Sequence, residues 1–377
     1  MNGLRARVIP LLFLIGSVLI VIFSGRIFLG MHDPEPIVKG PGVTEVRKLS
    51  HYLDNLNGSP GDVDVYFFEG EEAGGTFLVV GGTHPQETSG MMAAVLLIEN
   101  AIVNRGRLIV IPQANSSGFT HTDPLEGFPH RFEIQTEEGS RWFRLGMRRA
   151  NPVHHWPDPD IYVHFPSRER MAGDEIRNLN RAYPGRSNGS LMERMAYAIA
   201  QLIRNEGVDV TFDLHEAYPE YPVINMLVAH DRAMEIATFA LFSLQMQGIQ
   251  IDLALSPKNL HGLSHRELGD YTSTLAVLAE TANPMMGRFR GRTDQGLIVE
   301  GKDPFYVRAD KLGRLFVPFD ENGHPLRQRV GRHLASVSEL TKAYSRTHPD
   351  KVIDIQSIPD YETLMQKGIG AFLKPLD

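Results

Sequence analysis

Thr76-Phe77-Leu78-Val79-Val80-Gly81-Gly82-Thr83-His84-Pro85-Gln86-Glu87 is the stretch from which the fold of this chain is best read. Residues 76–80 form a short apolar run, and Gly81-Gly82 end it, which is the pattern of a buried strand stopped by a turn. His84 and Glu87 then stand three residues apart on that turn, at the carboxyl end of the strand. There an imidazole and a carboxylate can converge on one ion. A solvated loop can hold the same pair by chance, so the rest of the chain has to decide between the two.

Outward from this stretch, Asp64 to Phe68 alternates like a strand, and Gly90 to Asn100, rich in Ala, Met and Leu, predicts a helix. Leu108 to Ile111, stopped by Pro112, is a second buried strand. Leu191 to Arg204 predicts a helix, Val208 to Leu214 a strand, Arg232 to Gln247 a helix and Leu275 to Ala282 a strand; Pro222 to Val228 is apolar. Strands that alternate with helices predict an α/β fold, a mostly parallel mixed sheet with helices on both faces. Ligands of such sheets sit at the carboxyl ends of the strands. Ser116 to Ile176 departs from the pattern, being rich in His, Pro, Arg and aromatic residues. An insert of that length is usually functional or mobile. Leu312 to Val317 and Leu326 to Val330 flank Asp320-Glu321-Asn322-Gly323, which reads as a hairpin turn and predicts a small β-rich C-terminal appendage.

Composition narrows the function. The net charge of −7 argues against a nucleic-acid partner. The absence of cysteine removes disulfides, thiolate zinc sites and cysteine nucleophiles, so any metal must sit on His, Asp or Glu. Arg5 and Arg7 precede an uncharged run from Val8 to Ser24, the mark of an uncleaved membrane anchor or a cleaved signal, with the N-terminus kept cytoplasmic. The expected organisation is a membrane segment over 1–30, a Pro/Gly linker over 31–42, a catalytic domain over 43–300 and the appendage over 301–377. The catalytic part is expected outside the cytoplasm, held at the membrane or secreted if the segment is cleaved.

Three further pieces carry chemistry. Asp213-Leu214-His215 ends the strand that begins at Val208, and a strand-end histidine can complete a His-Glu-His zinc site with one open position. His215-Glu216 is not the start of His-Glu-x-x-His, because Pro219 stands where the second histidine would be. Asn178-Leu179-Asn180-Arg181-Ala182-Tyr183-Pro184-Gly185 sets an amide beside an arginine, a donor fork suited to a carboxylate. Glu280 lies near the end of an apolar strand, where a carboxylate is expensive to bury unless it is paired or used. Beside a metal-activated water it can serve as general base and then general acid. Between Lys48 and Lys258 there is no lysine but many arginines, Arg131, Arg141, Arg144, Arg148, Arg149, Arg168 and Arg170 among them, which favours an anionic substrate.

Taken in order over about residues 60 to 300, Gly-x-His-x-x-Glu, Ile111-Pro112-Gln113-Ala114-Asn115, Asn180-Arg181 with Pro184-Gly185, Asp213-Leu214-His215 and Glu280 resemble the zinc carboxypeptidase superfamily. Within it they are most similar to the succinylglutamate desuccinylase/aspartoacylase branch. The resemblance implies His84, Glu87 and His215 as ligands of one zinc ion, Asn180 and Arg181 as holders of a substrate carboxylate, and Glu280 as the catalytic acid/base. A second substrate arginine would be Arg177, Arg168 or Arg170, and a tyrosine over the site Tyr271 or Tyr306. Where the family usually has Asp behind a zinc histidine this chain has Asn178, a weaker support for an imidazole, and Asp213 is the candidate to take over that role. The implied activity is hydrolysis of an amide next to a carboxylate, in an N-acyl amino acid or at a peptide C-terminus. The alternative is an inactive carboxylate- or peptide-binding module on the same fold.

Overall fold

The computed structural model describes residues 2–122 and 128–376; residues 123–127 of the insert and the side chains of Arg5 and Arg7 lie outside the described residues. The chain divides into two compact units, Met1–Glu35 and Pro36–Asp377. The first is helix α1 (Asn2–Gly30), in which Val8–Gly30 is long and apolar enough to cross a membrane.

The second unit is built on a sheet of nine strands among the described residues. Strands β1 (Glu45–Lys48), β2 (Asp64–Glu69), β3 (Glu72–Val80) and β4 (Ile102–Ile111) come first. The insert then forms two separate antiparallel pairs, β5 (Arg131–Thr136) with β6 (Gly139–Arg144), and β7 (Ile161–Val163) with β8 (Arg170–Ala172). Strands β9 (Val210–Ala217), β10 (Met226–Ala229), β11 (Asp252–Leu255), β12 (Leu275–Ala282) and β13 (Asp354–Gln356) complete the sheet. Its order is β1-β2-β4-β3-β9-β12-β10-β11, with β13 added to β4. The four central strands β4, β3, β9 and β12 run parallel, and their neighbours β2 and β10 run against them.

Helices cover both faces. Phe77, Val79, Phe212 and Leu214 pack with helix α2 (Thr88–Asn100) into one core, and Leu78, Val80, Ile109 and Ile111 pack with α3 (Leu191–Asn205) into a second. The alternation of neighbouring residues between the two cores is the period of two of a strand. Helix α2 is buried from Thr88 to Glu99, and each of its fully buried Met and Leu side chains contributes about 1.5–3 kcal/mol. Helix α3 starts with a capping box in which Ser190 and Glu193 satisfy each other's backbone N–H. The chain enters this unit at the far end of α2: Val38 N–H donates to Glu99 Oε1 (3.2 Å) and Gly40 N–H to Ile98 O (3.1 Å). The length of α2, about 20 Å at 1.5 Å per residue, separates that entry from the His84–Glu87 turn.

The C-terminal segment corrects the expectation of a β-rich appendage. After α4 (Met234–Met246), α5 (Ser264–Tyr271), α6 (Gln295–Glu300) and α7 (Pro304–Lys311), it forms the 22-residue helix α8 (Leu326–Thr347), and β13 is its only strand among the described residues. Leu326, Val330, Leu334 and Val337 are fully buried. Their spacing of three and four is helical, and the five residues from Leu326 to Val330 were too short a window to show it. Asp320–Gly323 is indeed a turn: Asp320 Oδ1 accepts from Asn322 N–H and Gly323 has a φ of +63°. It leads into a helix instead of closing a hairpin. Helix α8 packs into the same core as α2, so the segment is part of the second compact unit and not an appendage.

Candidate metal centre

Three adjacent parallel strands deliver the candidate residues. Val80, the last residue of β3, lies opposite Asp213 of β9, and Glu280 of β12 lies opposite His215. The turn after β3 runs close against the end of β4. Gly82 has a φ of +67°, and a Cβ there would meet Pro112 O at 2.8 Å, so only glycine lets the turn follow this path. Along β9 the side chains of Asp213 and His215 share one face of the sheet, while Leu214 and Glu216 share the other.

His84, Glu87 and His215 come together, with ligand atoms all within 4.8 Å of one another. Nδ1 of His84 is 2.7 Å from Glu87 Oε1, and Nδ1 of His215 is 2.8 Å from Glu87 Oε2. Each imidazole is held from behind. His84 Nε2 is 2.9 Å from Asn178 Oδ1, and His215 Nε2 is 2.9 Å from Asp213 Oδ2. Asp213 is itself held by the Thr83 and Ser264 hydroxyls at 2.9 and 2.5 Å. Asn178 thus occupies the supporting place behind His84, and Asp213 supports the other histidine.

The donor set fits a divalent cation. Asn178 Nδ2 donates to Glu175 Oε2 (2.6 Å), and Asn178 Oδ1 accepts from Asn180 N–H (3.0 Å), which fixes the amide so that His84 Nε2 must donate. Burial and the charge of Arg148 lower the His84 pKa to about 4, against the pull of Glu87, so the ring is neutral near pH 7. Its Nδ1 lone pair then faces a carboxylate oxygen at 2.7 Å. Two acceptors face each other there, and a cation shared between them satisfies both. Against its burial, the Glu87 pKa is lowered by the charges of His84, when that ring is protonated, and of His215. Asp213 and Glu87 together outweigh burial and raise the His215 pKa well above its usual value. Two imidazole nitrogens and one carboxylate, each imidazole oriented by a hydrogen bond on its other nitrogen, form a zinc-type ligand set. Among the described residues no other cluster of His, Asp and Glu is placed to hold an ion.

Glu280 stands beside this group, half-buried, with Oε2 enclosed and making no hydrogen bond to the protein. Burial and the charge of Glu87 push its pKa up to about 8, with His215 and Arg148 opposing. Asn180 Oδ1 accepts from Ser264 N–H (2.8 Å), which leaves its Nδ2 as the group able to donate. Arg181 Nη1 donates to Asn180 O (2.6 Å). Burial and the nearby charge of Arg148 lower the Arg181 pKa, with Glu175 opposing.

Arg177 is engaged elsewhere: its Nε lies 2.8 Å from Asp158 Oδ1, and its Nη1 donates to Ala150 O (3.0 Å). Arg168 and Arg170 are exposed on the insert. The arginine that approaches the candidate ligands is Arg148, whose Nη1 is 3.8 Å from Glu87 Oε1. It lines a cleft with Gln86, Met147, Pro152, Val153 and Arg177. In the sequence it was one of many arginines in the insert, with nothing to single it out. Of the two tyrosines considered, Tyr306 is fully buried with its hydroxyl on Glu220 Oε2 (2.8 Å), and Tyr271 is exposed at the end of α5. Tyr221, on the loop that follows β9, lies in the neighbourhood of Arg181. Its ring lies 5.4 Å from that of Tyr218.

No family model and no curated protein matches the chain. Its structure is similar to that of an aspartoacylase family protein from Mesorhizobium loti, with 19% identity, 59% of this chain and 56% of the other covered, and a TM-score of 0.37. It is also similar to a metallo-carboxypeptidase from Burkholderia cenocepacia (11% identity, 85% and 68% covered, TM-score 0.46). A third is the tripeptide-bound cell shape determinant Csd4 protein from Helicobacter pylori (12% identity, 82% and 60% covered, TM-score 0.47). The chain therefore spans little more than half the length of the aspartoacylase family structure it matches.

Proposed function

We propose that this chain is a zinc-dependent hydrolase that cleaves an amide bond next to a substrate carboxylate. The observation that carries the reading is the convergence of His84 Nδ1, His215 Nδ1 and the Glu87 carboxylate beside Glu280, whose Oε2 is enclosed without a hydrogen bond to the protein. His84, Glu87 and His215 would hold the ion. Zinc in such a ligand set polarises a carbonyl and makes a water molecule nucleophilic near neutral pH. Glu280 Oε2 takes the proton from the attacking water and returns it to the leaving nitrogen as the C–N bond breaks. A pKa tuned upward by burial suits a group that must both accept and donate near pH 7. Asn180 Nδ2 and the guanidinium of Arg181 bind the carboxylate and so place the scissile carbonyl. Arg148, from the rim, adds a second positive charge to that region.

The substrate class is an N-acyl amino acid or a peptide with a free C-terminus. Helix α1 is proposed as the anchor that keeps the catalytic unit outside the cytoplasm. Full-length protein in detergent, loaded with zinc and offered both substrate classes, should turn over one of them and lose that activity on chelation. Zinc binding at one ion per chain without turnover of any carboxylate-bearing amide would point to the binding-module alternative.

A further inference from the structure

On the face of β9 turned away from the ligands, Glu216 is the meeting point of four separate elements. Its backbone N–H donates to Glu87 Oε2 at 3.0 Å. Its side-chain Oε2 accepts from Ser89 N–H, two residues beyond Glu87, at 3.2 Å. Strand β9 and the start of α2 therefore hold each other reciprocally: Glu216 fixes the ligand carboxylate, and the helix that follows the ligand fixes Glu216. The same Oε2 accepts from Asn283 Nδ2 (2.9 Å), three residues after Glu280, which ties in the end of β12. Its Oε1 is 2.6 Å from Arg329 Nη1, reached from α8 across 113 positions of sequence. Both side chains of that pair are completely buried. Each nitrogen of Arg329 has a partner: beside the Nη1 pairing, Nη2 donates to Ile298 O (2.6 Å) and Nε to His324 O (3.1 Å).

A buried ion pair is a poor way to gain stability, since apolar residues of the same volume often serve at least as well. This pair sits directly behind a ligand set whose geometry has to be held, and every bond to Glu216 ends on an element that carries a candidate catalytic group or on the helix bracing them. We propose that Glu216, braced by Arg329, is a positioning residue for the metal centre: it fixes the Glu87 carboxylate and the Glu280 strand end relative to His215, so that C-terminal helix α8 sets the ligand geometry. The inference rests on the reading of His84, Glu87 and His215 as a zinc site.

Zinc affinity measured by chelator competition, and the visible spectrum of the cobalt-substituted protein, test it in the full chain. Three variants are compared with wild type: Glu216→Gln, the double variant Glu216→Gln/Arg329→Gln, which leaves no unpaired buried charge, and Asn283→Ala, which keeps the ion pair intact. Loss of a group that orients a ligand typically costs about 10- to 100-fold in metal affinity. That loss is expected for the Glu216 variants, a smaller one for Asn283→Ala, and a shifted cobalt spectrum in each. A purely architectural pair would instead lower the melting temperature and leave the zinc affinity and cobalt spectrum of the folded variants as in wild type, and that result overturns the proposal. Asn283→Ala decides the matter alone if the Glu216 variants do not fold. Failure of the wild-type chain to bind zinc or cobalt would remove the metal reading itself, a result distinct from a wild type that binds and variants that bind equally well.

Discussion

Glu280 and His215 are register partners on the adjacent parallel strands β12 and β9, so one strand pairing sets a half-buried carboxyl group beside a candidate metal ligand. Backbone hydrogen bonds hold that relationship, and a side-chain substitution leaves it in place. Glu280→Gln should therefore keep zinc binding and lose more than about a hundredfold in turnover, because an amide keeps the shape but cannot shuttle a proton. Zinc content and single-turnover rates check this. Unchanged turnover in the zinc-loaded variant would remove Glu280 from the chemistry.

The same group makes stability depend on pH. The folded protein holds the Glu280 proton up to about pH 8, while the unfolded chain releases it near the ordinary 4.5. The folded state thus binds more protons between these values, and the stabilisation, fully present below the lower one, is lost as pH rises through the upper one. In chelator, wild type should lose melting temperature relative to Glu280→Gln as pH rises from about 5 to about 9. A difference that stays constant over this range would contradict the raised pKa.

How much of this was legible in the sequence follows from how far apart the partners lie. The His84–Glu87 turn was readable because an apolar run, a glycine stop and the ligand pair are contiguous. Asp213-Leu214-His215 and Glu280 were readable because each sits at the end of its own apolar strand. The register between β9 and β12 is a long-range pairing and leaves no local trace. Arg148 was hidden among similar arginines. Its loop is placed by packing: a Cβ on Gly146 would clash with Gly118 O, and only the folded chain brings the two together. Glu216 looked like the residue after a ligand and nothing more, since its meaning depends on Arg329. Helix α8 was misread because five residues do not separate a period of two from one of 3.6.

Asn178 looked in sequence like a weak substitute for an aspartate, and the structure supplies a reason for the amide. Asn178 Nδ2 donates to Glu175 Oε2 at 2.6 Å. A carboxylate in its place would face another carboxylate at hydrogen-bond distance, and such a pair retains a proton between its members. Asn178→Ala should weaken zinc binding about 10- to 100-fold by freeing the His84 ring. Asn178→Asp alone should bring no gain, while Asn178→Asp/Glu175→Gln should bind zinc more tightly than wild type, because the new carboxylate can then stay ionised behind His84. Chelator competition on the four proteins is the measurement. Asn178→Ala with wild-type affinity would show that the hydrogen bond to His84 Nε2 does not orient a ligand.

The last prediction concerns Arg181, on which the choice of a carboxylate-bearing substrate rests. Its Nη1 is committed to Asn180 O, so the rest of the guanidinium is held in one plane beside the Asn180 amide. Burial and Arg148 both disfavour its charge, and a substrate anion relieves that pressure. Lysine would bring a flexible point charge without the second donor or the plane. Arg181→Lys should keep the fold and zinc but bind a carboxylate-bearing substrate more weakly, by about tenfold or more if a bidentate contact is lost. Turning the substrate carboxylate into an amide should cost the wild type heavily and cost the Arg181→Lys variant little more, because two changes that delete one contact do not add. Steady-state kinetics on the four combinations give the coupling energy directly. Additive losses would mean that Arg181 braces the Asn178–Arg181 turn and touches no substrate, and the carboxylate requirement would then have to be sought at Arg148, whose replacement by lysine should show the missing coupling.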